Sequence, residues 1–327
     1  MKTVISTSPF LHDRDTTPKI MWEVVYTLIP VLAVAVYYWG LSALLISIAS
    51  VAGCLVAERL FDKNQKAIGD GSAILTGILL ALCLPPGFPL WMAFLGGVVS
   101  IGMGKSLWGG LGNNVFNPAL LGRAFLQAAF PEAITTWESP GGAFWSVRGT
   151  NLAMPFFKGE PVDAISTATP LSQLKFSQHV TPTMDLLVGD ISGSLGETCG
   201  LLFILAGIYL VVRKIINWRI PVSILLTAAL FSGLLYLIDP VRFPSPQFTI
   251  LAGGMLLGAV YMATDYVTSP LTTKGIWIYG FGIGFLVVMI RVWGGLPEGV
   301  MYAILLMNAA TPLINRFARA RVYGHEK

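Results

Sequence analysis

Long apolar stretches follow one another along the chain and are mostly separated by short polar connections. A helix needs about 20 apolar residues to cross a hydrocarbon core roughly 30 Å thick, and fewer where it is broken. The pattern predicts an all-α membrane protein with ten transmembrane helices, at residues 20–38, 41–58, 72–84, 90–107, 113–129, 198–212, 220–238, 248–264, 275–293 and 298–315. The third segment is too short to span alone and stops at Pro85-Pro86, where proline cannot continue a helix. We expect that helix to be tilted or broken.

The ten predicted helices fall into two sets of five that share short sequences. The run Trp-Gly-Gly-Leu occurs at 108–111 and again at 293–296, and the segments 74–77 and 250–253 resemble each other at a similar offset. Two sets with an odd number of spans have to be inverted relative to one another, which commonly places a site between them. Chance recurrence of glycine-rich membrane sequence is the alternative. The expected divisions are 1–19, 20–129, 130–197, 198–315 and 316–327.

Charge supports this membrane assignment and predicts the orientation of the chain. Only 12% of the residues are charged, against roughly 25% in a soluble domain, and 54% are hydrophobic. With the N-terminus inside, fifteen lysines and arginines fall in cytoplasmic segments and four in external ones, the external four being Arg148, Lys158, Lys175 and Arg242. We therefore expect cytoplasmic termini in a bacterial inner membrane and an extracytoplasmic connection at 130–197. Residues 1–21 lack the apolar core of a signal peptide, and no basic run suits nucleic acid.

The three cysteines offer no metal or disulfide chemistry. Cys54, Cys83 and Cys199 each lie in an apolar run, and none has CxxC spacing. We interpret them as packing residues, so neither a zinc nor an iron–sulfur site is predicted.

The external connection contains the run Asp163-Ala164-Ile165-Ser166-Thr167-Ala168-Thr169-Pro170. Hydroxyl side chains in a loop usually cap a turn, and that reading applies here if the run is taken alone. The run also resembles the signature Asp-x-x-Ser/Thr-x-Ala-Thr, at which a flavin transferase joins FMN through its phosphate to threonine in the RnfD and NqrB subunits of ion-pumping respiratory complexes. Thr169 matches the acceptor, and Asp163, Ser166 and Ala168 match other marked positions. Thr167 stands where the signature often has glycine.

Further landmarks of the RnfD and NqrB family occur in order over nearly the whole chain. They are Ser8-Pro9, Lys19-Ile20-Met21, Leu84-Pro85-Pro86 and the run from Asn113 to Leu120. The chain lacks the long N-terminal extension of the quinone-reducing NqrB branch and is more similar to the RnfD branch, which belongs to ferredoxin:NAD oxidoreductase.

The resemblance implies a redox subunit that is inactive alone. Electrons would pass through covalent FMN on Thr169 and through a noncovalent riboflavin, coupled to Na⁺ or H⁺ transport. Implied partners are a second covalent-FMN subunit, iron–sulfur subunits, a flavin transferase for maturation and membrane lipid. A tether through the phosphate suits an exposed loop because it leaves the ring free and prevents its loss, while the protein supplies position and electrostatics.

Two amides form a second candidate site at the start of the fifth predicted helix. Asn114 and Asn117 are three residues apart, which places them on neighbouring helix positions. In the resembling family, paired asparagines in such a sequence lie by a bound riboflavin, whose polar edge needs both donors and acceptors. The alternative is helix capping by Asn114, with Pro118 in the first turn.

Charged residues inside predicted helices are expensive and therefore candidates for function. Arg123 lies about ten residues into its helix, about 15 Å deep at 1.5 Å per residue. We expect it to be paired inside the bundle, and it could reach a flavin that lies along the same helix near Asn114 and Asn117. The residues nearer helix ends, for which interfacial anchoring is the simpler reading, are Glu23, Glu58, Asp265, Arg291 and Glu298.

One other function class remains open at this point. Inverted five-helix repeats also occur in small-solute channels and transporters, and fold alone cannot separate a channel from a redox subunit. The flavin signature favours the redox subunit.

Overall fold

The computed structural model describes residues 16–61, 69–155, 167–197, 199–240 and 242–319. These residues form helices joined by turns and irregular connections. We number the α-helices in chain order: α1 Thr17–Trp39, α2 Leu41–Phe61, α3 Ser72–Leu82, α4 Leu90–Gly104, α5 Pro118–Ala129, α6 Pro131–Thr135, α7 Pro170–Ser177, α8 Thr183–Val188, α9 Gly200–Val212, α10 Arg219–Ile238, α11 Pro246–Leu251, α12 Met255–Leu257, α13 Thr273–Trp293 and α14 Val300–Phe317. Helix α12 continues as one wider π-helical turn, Gly258–Met262.

Within the described part of the chain, five segments are long and apolar enough to cross a membrane. They are α1, α2, Leu90–Trp108, α10 and α13, and two shorter apolar helices, α3 and α9, accompany them. Large apolar side chains on these helices point away from the protein, for example Tyr37, Leu60, Leu230 and Leu237. Apolar side chains on the outside of long apolar helices are typical of a surface that faces lipid. The chain is therefore a multi-pass membrane protein, as the hydropathy pattern predicts.

Glycines allow two pairs of long helices to pack at very short range. On α2 and α4, Gly53 and Gly97 face the partner helix so closely that a Cβ on Gly97 would lie 2.9 Å from the backbone nitrogen of Cys54. On α10 and α13, a Cβ on Gly284 would lie 2.6 Å from the carbonyl oxygen of Ile224. Small residues at such crossings let helix backbones approach in the absence of a hydrophobic driving force. The glycine-rich composition thus has a direct packing role.

One of the predicted helices is shorter than expected and another is broken. Helix α3 stops at Leu82, two residues earlier than predicted, and the chain turns through Pro85-Pro86. The predicted helix 248–264 is wrong as a continuous element, because α11 ends at Leu251 and Gly253 adopts φ +67° before the chain resumes at Met255. A left-handed residue cannot continue a right-handed helix. Broken helices expose backbone carbonyls inside the bundle, and these need partners.

Several short elements gather at one end of the bundle. At the C-terminal end of α1, the hydroxyl of Tyr38 donates to the carbonyl oxygen of Val188 at 3.3 Å, and the guanidinium of Arg148 lies over the ring of Trp39, 5.2 Å from its centre. The described part of the connection between α6 and α9 therefore packs on the helix ends. We call this the Thr169 end and the opposite one the Asn114 end.

The third cysteine, Cys199, is partly exposed, while Cys54 and Cys83 are buried, and all three thiols are free.

Candidate functional site

Thr169 is the N-cap of helix α7. Its Oγ1 accepts a hydrogen bond from the backbone N–H of Ser172 at 3.3 Å and donates to the Ser172 hydroxyl at 3.0 Å. Pro170 follows at the first helical position, where its missing N–H costs nothing. The capping interpretation of this hydroxyl is therefore confirmed. Capping does not exclude a second role, because an ester oxygen can still accept the bond from Ser172.

The Thr169 side chain borders a small cavity of about 60 Å³. We call it the Thr169 cavity, and its polar lining residues include Arg123, Trp137, Thr169, Glu197, Glu298 and Tyr302. Roughly 15 Å³ of such volume holds one water molecule, so the cavity has room for a few waters or one phosphate-sized group. Thr169 itself is only 6% exposed, so its side chain is largely shielded from the surface.

Arg123 and Glu298 form a buried ion pair at the wall of the Thr169 cavity. The Nη2 of Arg123 donates to Glu298 Oε2, and Glu298 Oε1 accepts from the backbone N–H of Gly254 at 3.1 Å. The expectation that Arg123 is paired inside the bundle is confirmed. Its Nε is buried and has no hydrogen-bond partner among the described residues. A buried donor without a partner is unfavourable, so this nitrogen marks a place for an acceptor that the protein does not supply.

Arg291 stabilises the break between α11 and α12. Its guanidinium donates to the carbonyl oxygens of Thr249 at 2.6 Å and Ala252 at 2.9 Å, which are carbonyls freed by the break. A cation at a helix C-terminus also interacts favourably with the helix dipole. Arg291 is buried, so interfacial anchoring, the simpler reading of the sequence, is wrong for this residue.

Helix α7 is fixed against the same region by Lys175. Its ammonium donates to the carbonyl oxygens of Arg291 and Leu296, each at 3.2 Å, and to that of Gly294, all at the end of α13. Partial burial lowers the pKa of Lys175. The lysine predicted for the external surface thus ties the Thr169 segment to the end of a long helix.

A second cavity, of about 100 Å³, lies at the Asn114 end. We call it the Asn cavity; its polar lining includes Ser72, Lys105, Asn114, Asn117, Asp265 and Tyr266, and the rest is largely apolar. Ligand pockets usually measure about 300–1,000 Å³, so a flavin would enter only with its polar edge, or would need the walls to move apart.

Asn114 and Asn117 make different hydrogen bonds at this cavity. Asn117, and not Asn114, caps helix α5: its Oδ1 accepts from the N–H groups of Ala119 at 3.0 Å and Leu120 at 3.2 Å. The alternative of capping by Asn114 is wrong because α5 begins only at Pro118. Asn114 precedes the helix, and its amide donates to Asp265 Oδ2 at 3.1 Å.

Lys105 is buried beside the Asn cavity. Its ammonium forms an ion pair with Glu58, donates to the Ser72 hydroxyl at 2.6 Å and lies 3.6 Å from Asp70 Oδ2. Glu58 is 2% exposed, so interfacial anchoring is wrong for it too. Glu23 fits that reading better, since it pairs with the surface residue Arg213 at 2.5 Å.

The structure groups the predicted residues differently from the sequence analysis. Thr169 and Arg123 meet at one cavity, and Asn114 and Asn117 meet at the other. Arg123 is not among the residues lining the Asn cavity, so the idea that it serves a flavin beside that pair is not supported. Ala168 contributes its carbonyl oxygen, which accepts from the Gln173 amide at 3.1 Å. Asp163 and Ser166 lie outside the described residues.

Two residues at these cavities carry too little sequence signal to be predicted. Glu197 ends the short 3₁₀ turn Leu195–Glu197, is buried, and accepts from the Ser194 hydroxyl at 2.9 Å. It sits at the edge of a predicted helix, where acidic residues are common. The sequence indicates an ordinary cytoplasmic lysine at Lys105, after α4, and only its position opposite Glu58 shows that it is buried.

Comparison with known proteins gives matches along the full chain. A model of the NQR2, RnfD, RnfE family matches residues 4–324. The chain is 38% identical to a Clostridium ljungdahlii protein named as a subunit of the proton-translocating ferredoxin:NAD(+) oxidoreductase complex, over 98% of this chain and 96% of that one. It is 40% identical to an Acetobacterium woodii protein named as a subunit of the Na(+)-translocating ferredoxin:NAD(+) oxidoreductase complex, over 100% and 97% of the two chains.

A third relative, from Stutzerimonas stutzeri, is named as a subunit of the ion-translocating oxidoreductase complex and is 40% identical over 95% of this chain and 93% of the relative. These matches cover nearly the whole of this chain and of each relative. The chain therefore belongs to the NQR2, RnfD, RnfE family.

Proposed function

We propose that this chain is a membrane subunit of an ion-translocating ferredoxin:NAD⁺ oxidoreductase complex and passes electrons through FMN esterified to Thr169. The first part rests on relatives from Clostridium ljungdahlii and Acetobacterium woodii that carry this activity in their names and match from end to end. The second part rests on the residues around Thr169.

One observation supports the FMN site most strongly: Thr169 lines the same cavity as Arg123, whose Nε has no hydrogen-bond partner among the described residues. An esterified phosphate carries negative charge and several acceptor oxygens, and these suit an arginine donor. The cavity has room for the phosphate and not for the ring, so the ring would lie outside it. When bound, the flavin supplies the electron transfer; Thr169 holds it in place, and Arg123 with Glu298 sets the charge at its attachment point.

The orientation of the chain in the membrane is part of this proposal. The charge distribution favours ten spans in two inverted sets, with both termini in the cytoplasm and the Thr169 end outside it. Thr169 and the rest of the described connection between α6 and α9 lie at one end of the bundle. Lys105 and the Asn cavity lie at the opposite end. A flavin on Thr169 would then sit on the extracytoplasmic side of a bacterial inner membrane.

We also propose a noncovalent riboflavin at the Asn cavity. Asn114 and Asn117 supply amide groups there, and amides offer both donors and acceptors to the polar edge of a flavin. Two flavins would then lie near opposite ends of the helix bundle, which suits a chain that moves electrons across a membrane.

The double variant Asn114→Leu/Asn117→Leu should lose this riboflavin and retain the FMN on Thr169. Leucine keeps side-chain bulk and removes both amides. The purified complex is denatured, and the released riboflavin and the protein-bound FMN are measured separately. The variant Asn113→Leu, which changes an exposed neighbouring amide, should leave both unchanged and serves as the control. Unchanged riboflavin in the double variant would assign this flavin elsewhere.

Partners follow from the chemistry, since a redox subunit needs a donor and an acceptor of electrons. We propose iron–sulfur subunits and a second covalent-FMN subunit as its neighbours, a flavin transferase for maturation, and coupling of electron flow to Na⁺ or H⁺ transport.

A gene deletion tests the proposed function against the channel alternative. Membrane vesicles from a strain lacking this chain should lose ferredoxin-dependent NAD⁺ reduction and the ion gradient that accompanies it, and both should return when the gene is restored. A passive channel predicts the opposite: without it, NAD⁺ reduction continues and the gradient becomes larger.

A further inference from the structure

A third cavity, of about 330 Å³, lies at the Thr169 end between α7, α11 and the end of α13. We call it the basic cavity, because three cations line it, Lys175, Arg242 and Arg291, and the described residues of its wall include no carboxylate. Leu171 and Pro297 line both this cavity and the Thr169 cavity, so the two are neighbours. Its volume is in the range of small-molecule sites, and the proposed flavin sites do not use it.

Two of these cations are held by neutral oxygens. Lys175 donates to three backbone carbonyls at the end of α13, and Arg291 donates to two carbonyls at the end of α11. A helix end carries at most about half a negative charge, so each cation keeps a net positive charge. Glu298, the acid near Arg291, is already paired with Arg123. The wall of the basic cavity is therefore positively charged.

Arg242 is the cation that remains available to a ligand. Its side chain is exposed, and its guanidinium lies over the ring of Phe243, 5.7 Å from the ring centre. Its backbone N–H donates to Asp239 at 3.2 Å, but its guanidinium has no hydrogen bond or ion pair with the described residues. A guanidinium has five N–H donors in a planar fork that matches the oxygens of a phosphate.

The basic cavity lies at the level where two long apolar helices end. Helix α10 ends at Ile238 and α13 at Trp293, and Phe231 of α10 lies 6.3 Å from Trp293, measured between ring centres. Phe243, beside Arg242, lies 6.4 Å from the same tryptophan, which is exposed. Tryptophan is enriched where a membrane meets water. The cavity is thus placed at the level of lipid head groups.

The surface that continues from the cavity along α10 and α13 is apolar. Its exposed side chains are Leu230, Leu234, Leu237, Ile238, Phe281 and Phe285. Acyl chains suit this surface, and basic pockets between membrane helices bind the head groups of anionic lipids. A zwitterionic head group would also need a partner for its ammonium, and the described wall of the cavity offers no carboxylate for it.

We propose that the basic cavity binds the phosphate of an anionic phospholipid, with Arg242 contacting the phosphate and Lys175 and Arg291 adding positive charge. The acyl chains of this lipid lie along the exposed face of α10 and α13. Because Lys175 belongs to α7, the bound head group lies beside the helix that begins after Thr169. The inference does not depend on either proposed flavin.

The test is photochemical labelling of the purified complex in phosphatidylcholine vesicles that contain a little phosphatidylglycerol with a photoreactive head group. Labels are mapped by mass spectrometry and should appear on residues 171–178 and 242–249. In Arg242→Gln the labelling at these residues should fall about tenfold, which is the effect of losing one charge-assisted hydrogen bond. Arg242→Lys keeps the charge and loses the planar fork, so it should label more strongly than Arg242→Gln.

Competition with unlabelled compounds identifies the ligand in the native complex. Unlabelled phosphatidylglycerol should suppress the labels, whereas additional phosphatidylcholine should not. Inorganic phosphate should also leave them unchanged, because it lacks acyl chains. Equal suppression by phosphatidylcholine would overturn the selection for an anionic lipid, and suppression by inorganic phosphate would show a site for soluble anions.

A matched variant controls for the loss of one positive charge. Lys274→Gln removes an exposed cation at the opposite end of α13 and should leave the labelling at the native level. Size-exclusion chromatography checks that each variant complex is assembled. Native labelling in an assembled Arg242→Gln complex would overturn the proposal. So would a native complex without labels at these residues, which is the result expected if a partner subunit covers the cavity.

Discussion

Replacing Thr169 with valine should remove the covalent flavin from this chain completely, because valine keeps the branched shape and lacks the hydroxyl that would be esterified. Loss of the N-cap costs about 1 kcal/mol, so the helix bundle should still assemble. The chain is run on a denaturing gel and viewed under ultraviolet light, where a covalent flavin fluoresces. Ferredoxin-dependent NAD⁺ reduction in membrane vesicles should fall to background in the same variant.

Two neighbouring hydroxyls provide matched controls. Thr167→Val removes a hydroxyl two residues away that donates to the carbonyl oxygen of Trp137 at 3.3 Å, and Ser172→Ala removes the hydrogen-bond partner of Thr169. Both variants should retain a fluorescent band. If Thr169→Val fluoresces, or if Thr167→Val does not, the acceptor has been assigned to the wrong residue.

Breaking the ion pair between Arg123 and Glu298 should destabilise the protein strongly. Removing one member of a buried pair leaves the other charge uncompensated and typically costs about 3–5 kcal/mol. We expect both Arg123→Gln and Glu298→Gln to lower the thermal denaturation midpoint of the solubilised complex. The double variant Arg123→Gln/Glu298→Gln should lie closer to the native protein than either single variant, because it leaves no unpaired charge.

Redox titration then separates a structural role of Arg123 from a role at the flavin. Arg123→Gln removes a positive charge near the attachment point of the covalent FMN, and the reduced ring gains negative charge, so the variant should lower the midpoint potential of this flavin. We expect a shift below about 60 mV for one electron, which is the size of a direct contact worth about 1.5 kcal/mol. Glu298→Gln removes a negative charge from the same cavity and should raise that potential. If both variants lose stability and neither potential moves, Arg123 supports the bundle and has no role at the flavin.

The helices of this protein could be predicted from the sequence because hydrocarbon thickness imposes a length on each apolar run. The break in the predicted helix 248–264 is harder to predict from the sequence. Gly253-Gly254 is a weak signal, since glycine is common in unbroken membrane helices. Arg291 stabilises the break. It lies on α13, later in the chain, and donates to the freed carbonyl oxygens.

The candidate sites could be predicted only in part, because they combine residues that are distant from one another in the sequence. The motif at Thr169 is a single short run, so its resemblance to the flavin signature could locate it. The meeting of Thr169 with Arg123 depends on how α5 and α7 pack, and no spacing in the sequence reports that. Helical spacing places Arg123 about two turns from the asparagine pair, but it does not show which cavity the arginine lines.

Buried charges were the least predictable feature. A lysine after a membrane helix usually extends into water, and the sequence alone predicts this for Lys105. Its burial follows from the close packing of α2 and α4, which brings Glu58 opposite it. An ion pair of this kind depends on three-dimensional contacts, so it cannot be predicted from the hydropathy of either helix alone.

Peptide mass mapping of the native chain, isolated from a host that contains the flavin transferase, tests the central claim most directly. Trypsin should release a peptide that begins after Lys158 and ends at Lys175, and it contains both Thr169 and the neighbouring hydroxyls. We predict that this peptide is heavier by one FMN less one water, and that fragmentation places the whole increment on Thr169. An unmodified peptide, or an increment on another residue, would contradict the account.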